Sequence, residues 1–185
     1  MHIRRSLFDM AISWAASWFP AFVRNRIQAL IPGPFLPPTV IIKKLKPTWD
    51  TEFDDEKQIY QKLSPLQGHA IPVLYGEGTC DAARALLLSD VGDASLHAPQ
   101  AKHLSKPALK RMIKPPVRAM LELGVEPADH NPRNYHLVRG DAVVVLDLED
   151  TADFDPHEQD IDELAEAVAD GVAHWTVFYH QNHNS

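Results

Sequence analysis

Two apolar runs, Tyr135 to Val138 and Ala142 to Leu146, flank the tripeptide Arg139-Gly140-Asp141. Each is long enough for a strand and too short for a stable helix, and the Gly and Asp between them favour a tight turn, so the segment predicts a β-hairpin. A hairpin fixes which residues face one another. With Gly140 and Asp141 as the central pair, Asn134 and Asp147 close its open end opposite each other, an amide oxygen beside a carboxylate. Asp129 lies in the loop just before Asn134 and returns to the same end, adding a second carboxylate. Hard oxygen donors suit magnesium, which needs few protein ligands when phosphates and water supply the rest.

The chain before the hairpin divides at a proline-rich stretch. Ile31-Pro-Gly-Pro-Phe-Leu-Pro-Pro38 lacks the backbone donors of a helix or central strand and reads as a linker. Thr39 to Leu45, with Val40-Ile41-Ile42, reads as a strand ending in two lysines. A helix from near Thr51 places Phe53, Glu56, Tyr60 and Leu63 on one face, a carboxylate among apolar groups. Ile71 to Tyr75 and Ala85 to Ser89 read as two further strands, with Gly76, Gly78 and Thr79-Cys80-Asp81 turning the chain between them. Ala108 to Lys114 and Val117 to Leu123 are helical, and Pro115-Pro116 is expected to break or kink them. Gly124 to Asn134 reads as a loop. Asp160 to Val172 closes the chain as an amphipathic helix, with fraying expected after Phe178.

Bulk properties narrow the function classes. The formal charge of -7 and the absence of a basic cluster argue against nucleic acid as a partner. Cys80 is the single cysteine, so no intrachain disulfide or cysteine-based zinc site can form, and a reducing, cytoplasmic setting is expected. His130, His136, His157 and His174 lack metal-motif spacing. The apolar stretch Leu7 to Val23 is interrupted by Asp9 and Pro20 and is shorter than a spanning helix. Its aromatics Trp14, Trp18, Phe19 and Phe22 suit packing onto the domain better than contact with a membrane surface.

Asp129-His-Asn-Pro-Arg-Asn134 resembles the D-x-x-x-x-N catalytic loop of protein kinases and of their aminoglycoside-phosphotransferase relatives. Asp147-Leu-Glu149 resembles their D-F-G, Val40-Ile-Ile-Lys43 their V-A-I-K strand, and Ala85 to Gly92 the strand and hinge behind adenine. Phe53-x-x-Glu56-Lys57, Leu66-Gln67-Gly68 and Asn134-Tyr-His-Leu-Val138 are similar to stretches of fungal kinase-like proteins. The resemblance implies an α+β, two-lobed protein-kinase-like fold. Residues 1–38 would form an N-terminal helix and linker, 39–92 a reduced N-lobe, and 93–185 a truncated helical C-lobe. It further implies ATP and Mg²⁺ as cofactors. Asp129 would accept or orient the proton of a substrate hydroxyl, Asn134 and Asp147 would hold metal, and Lys43, paired with Glu56, would face the phosphates. Ile41, Ser89 and Val91 would line the nucleotide pocket.

The sequence also departs from that pattern. No G-x-G-x-x-G precedes Val40, Gly33 being the only glycine in the first 67 residues, and Glu149 replaces the D-F-G glycine. Only 38 residues follow Asp147, too few for the usual peptide-substrate platform. Two readings follow. One is an ATP/Mg²⁺-dependent phosphotransferase acting on a hydroxyl acceptor, and the other is an inactive pseudokinase that binds a protein partner.

Overall fold

The computed structural model describes residues 36–92 and 94–183, so the expectation for the N-terminal apolar stretch lies outside the described residues. The fold class is α+β. The chain divides into two compact units, one holding residues up to Asp50 together with Val73–Asp90, the other Thr51–Pro72 together with Val91–Ser185.

The first unit is built on a three-stranded antiparallel sheet of β1 (Val40–Lys44), β2 (Leu74–Cys80) and β3 (Ala83–Ser89), with β3 in the centre. The central strand carries the apolar run Ala85, Leu86 and Leu88, all buried. Contrary to the sequence expectation, Gly76 and Gly78 do not turn the chain. The strand runs through them to Cys80, with a register shift between Leu74 and Gly76 where Gly76 takes a φ of 143° that a side chain would oppose. The turn falls at Asp81 and Ala82, both left-handed at φ 50° and 63°, the twist that a two-residue hairpin requires. Ile71 is not in a strand of this sheet. It is fully buried in the second unit.

In the second unit, α1 (Asp50–Lys62) buries Phe53, Glu56 and Tyr60, and Leu63 beyond its end, the face its spacing predicts. Helix α2 (Lys106–Glu122) packs along α3 (Ile161–Asn182). The buried positions of α2 are large, among them Leu109, Ile113, Met120 and Leu121, and each contributes about 1.5–3 kcal/mol on burial. Those of α3 are small: Ala165, Ala169 and Ala173, with Val168 and Val172 between them. Large against small at helical spacing lets the two backbones approach and interdigitate.

Two expectations about these helices are corrected. α2 runs unbroken through Pro115 and Pro116. Proline inside a helix costs about 3 kcal/mol, but Pro116 and Val117 lie in the core and cross-helix contacts grip α2 on both sides of the pair. α3 continues ten residues past Val172, because Thr176 and His180 are also buried. The His180 ring bonds the Leu96 carbonyl at 3.0 Å. At its other end Asp160 caps α3 by accepting from the N–H groups of Asp162 and Glu163.

Two small sheets complete the unit. One orders β4 (Ala94–Ser95), β6 (Tyr135–Val138) and β7 (Ala142–Val145) with β6 central, and the other pairs β5 (Val125–Pro127) with β8 (Thr151–Asp153). Residues 124–134 are therefore not all loop. The Gly124 N–H bonds the Leu121 carbonyl at 2.9 Å at the end of α2, with φ 72°, and its own carbonyl accepts from Lys62 Nζ at 2.8 Å.

A ladder of ion pairs runs along the outer seam of α2 and α3. Lys106 meets Asp170, Lys110 meets Asp170 and Glu166, Lys114 meets Glu166 and Asp162, and Arg118 meets Asp162 and Glu122. Hydrogen bonds from Lys110 hold the Glu166 carboxyl below its usual range, and those from Lys106 do the same for Asp170. A folded-state pKa below the unfolded one gives stability that is present above the ordinary carboxylate range and is lost as pH falls through the folded value. Each exposed pair contributes little alone. The thermal midpoint should fall between neutral pH and about pH 3, and by less in Lys110→Met, which keeps the aliphatic stem and removes the charge. Identical pH profiles in melts of the two proteins would exclude the ladder as a source of acid sensitivity.

Candidate functional site

The loop before β6 is organised by its own polar side chains. Asp129 Oδ1 accepts from the Asn131 N–H at 2.9 Å, Asn131 Oδ1 accepts from the Arg133 N–H at 3.1 Å, and Pro132–Asn134 forms one 3₁₀ turn. Short Asx side chains bonding backbone two residues on are what make such a turn rigid. The turn delivers Asn134 Nδ2 to Asp129 Oδ2 at 2.7 Å. The amide donates through nitrogen, so its oxygen remains an acceptor.

The hairpin joins this loop to Asp147, but not in the register expected. Tyr135 faces Val145 and Val138 faces Ala142, leaving three loop residues rather than two. Arg139 and Gly140 are left-handed at φ 54° and 82°, which together with Asp141 makes the longer loop. Asn134 therefore lies opposite Leu146, whose N–H bonds the Asn134 carbonyl at 2.6 Å, and the expected pairing of Asn134 with Asp147 is wrong by one residue. Asp147 is the next residue. It leaves the strand at φ 55°, a conformation costing a residue with a Cβ roughly 1–2 kcal/mol, less for Asp than for most. Its alternation relative to β7 is thereby broken, and its side chain is exposed while Leu148 is buried.

Two interior tyrosines mark the electrostatics around these carboxylates. Burial, and then the negative charges of Glu56 and Asp147, push the Tyr60 phenol far above its ordinary range; burial and then Asp129 do the same to Tyr135. Both residues are fully buried, and among the described residues neither hydroxyl has a hydrogen-bond partner. Tyr60 thus places Glu56 on α1 and Asp147 after β7 in one neighbourhood of the second unit. Glu56 itself is 1% exposed, a depth at which a carboxylate requires compensating partners.

The remaining predicted residues fall as follows. Lys43, Ile41 and Ser89 belong to the first unit, where Lys43 on β1 faces Leu86 of β3 and Ile41 is 46% exposed. Ser89 is tied twice to Val73, its Oγ accepting from the Val73 N–H and its N–H donating to the Val73 carbonyl, each at 2.9 Å. Val91 and Glu56 belong to the second unit. Among the described residues no group of three His, Cys, Asp or Glu is gathered to hold a metal ion.

Sequence reasoning missed what stands beside Asp129. A cleft of about 510 Å³ is lined by Asp129, His97, Trp175, Phe178, Tyr179 and His183. The spacing of Trp175, Phe178 and Tyr179 was the available signal, obscured by the expectation of a frayed tail.

The chain matches no protein-family model and no curated protein. No helix among the described residues is long and apolar enough to cross a membrane.

A hydroxyl buried without a partner has lost its hydration for nothing. Tyr135→Phe and Tyr60→Phe should therefore change unfolding free energy by under about 1 kcal/mol, or raise it. Urea titration checks this, and a loss of about 2 kcal/mol or more would reveal a hydrogen bond to each hydroxyl.

Proposed function

We propose that the chain is a protein-kinase-like phosphotransferase that uses ATP and Mg²⁺ to phosphorylate a hydroxyl acceptor. One observation supports this above the rest. The 2.7 Å bond from Asn134 Nδ2 to Asp129 and the 2.6 Å bond from the Leu146 N–H to the Asn134 main-chain carbonyl hold the loop carboxylate and Asn134 against the residue that precedes Asp147. Phosphoryl transfer asks for little beyond such positioning and charge neutralisation.

On this reading Asp129, oriented through both carboxylate oxygens, receives the acceptor proton. Asn134 Oδ1 and the exposed Asp147 carboxylate are the oxygen donors for metal, a pair that fits an ion keeping most of its water and phosphate ligands. Bound Mg²⁺ would supply charge neutralisation to the phosphates. The left-handed backbone at Asp147 is the kind of strain that persists where function selects it. Lys43 and Glu56 keep the roles that the order of motifs gives them, with Ile41, Ser89 and Val91 toward the nucleotide. A kinase-like two-lobed architecture, cytoplasmic residence and a nucleotide partner belong to the same proposal. The pseudokinase reading is favoured by one feature, the lack of a glycine-rich phosphate cover before β1.

Asp147→Asn removes the charge and keeps a side chain that tolerates the left-handed backbone. ATP with Mg²⁺ should raise the melting temperature of the parent, and this shift should be lost in Asp147→Asn. Asp129→Asn should keep the shift and lower phosphotransfer by at least about 100-fold. A parent that shows no shift with ATP and Mg²⁺ overturns the proposal.

A further inference from the structure

The cleft beside Asp129 is built differently from the loop it adjoins. Trp175, Phe178 and Tyr179 recur at helical spacing along the last turns of α3, with His183 just past its end, and all four line the cleft. Trp175 and Phe178 are 55% and 48% exposed, and their rings meet edge to face with centroids 5.8 Å apart. Large aromatics left half open to water are costly unless something covers them. Tyr179 stacks with His97 and with His183. Burial, with the positive charge of Arg133 behind it, keeps His97 below its usual range and so neutral. Asp129 is the one acidic side chain among the lining residues, which include His130 but no Lys or Arg. The volume is that of a small-molecule site. Such a lining suits neither a polycation, which would require several carboxylates, nor an anion, which would require Lys or Arg.

We infer that this cleft takes an uncharged, planar aromatic molecule bearing a hydroxyl, its ring against Trp175 and Phe178 and its O–H directed to Asp129. The inference rests on the phosphotransfer reading for its consequence, namely that such a molecule is the acceptor. In that step the ring oxygen bonds to the γ-phosphorus of the nucleoside triphosphate. The bond from that phosphorus to the β–γ bridging oxygen breaks, its electron pair leaving with the nucleoside diphosphate, and the hydroxyl proton passes to Asp129. Three features point the same way: stacking surface, a lining without Lys or Arg, and one acceptor already oriented by Asn131 and Asn134.

The test is binding of 2-naphthol to the full chain, measured by equilibrium dialysis beside its methyl ether and the polycation kanamycin. 2-Naphthol should bind saturably, about tenfold more weakly to Trp175→Ala and nearly as well to Trp175→Phe, since an offset or edge-to-face ring contact is what is lost and restored. The methyl ether, having no proton to donate, should bind more weakly than the phenol. No saturable binding, indifference to Trp175→Ala, equal binding of phenol and ether, or a preference for kanamycin would each overturn the assignment. ATP binding is measured separately on the parent. Its absence would remove the acceptor role together with the phosphotransfer reading, while ring binding would still be decided by the naphthol arms.

Discussion

The packing of α2 on α3 is the contact on which the second unit depends. Alanines at 165, 169 and 173 give α3 a shallow buried face, while the buried positions of α2, Leu109, Ile113 and Met120 among them, are large. Everything near Asp129 is hung on this pair. α2 packs against β5 and β7, and α3 packs against the 3₁₀ turn that carries Asn134. The pair also explains the survival of Pro115 and Pro116 in mid-helix. A local penalty of a few kcal/mol is small beside the apolar burial on the same helix, which tertiary packing supplies and propensity does not.

Around the loop carboxylate the controlling physics is local and polar. Asp129 and Asn131 bind backbone N–H groups two residues ahead, so the turn is rigid before any ligand arrives. The interior is apolar enough that two buried tyrosine hydroxyls find no hydrogen-bond partner among the described residues. In such surroundings charges act over longer distances than in water. Glu56, Asp147 and Asp129 are all felt by those phenols although they stand on three different segments.

Much of this was legible in the sequence, for identifiable reasons. The face of α1 could be read because Phe53, Glu56, Tyr60 and Leu63 keep one helical period. The existence of the hairpin could be read from two apolar runs around a glycine. Its register could not, because Ala142 to Leu146 is apolar at every position and alternation, the usual guide, is silent there. The strand through Gly76 and Gly78 was hidden by residues that ordinarily end strands, whereas its turn was read as far as Asp81 and missed only Ala82. α3 outran its expected end since the reading stopped at aliphatic residues. Thr176 and His180 bury through bonds to the carbonyls of Val172 and Leu96, a possibility that hydrophobic pattern does not register.

The three-residue loop at Arg139–Asp141 carries a consequence for how such a protein tolerates change. With β7 oily on both sides, sliding the strand by one place would cost little in buried hydrocarbon. The apolar core is therefore nearly blind to the setting that decides where Asp147 emerges relative to Asn134. That setting is kept by two left-handed residues at the tip and by the 2.6 Å bond at the base. A change at the ribbon's solvent-facing end would therefore move Asp147 relative to Asn134 while leaving the apolar core as it is.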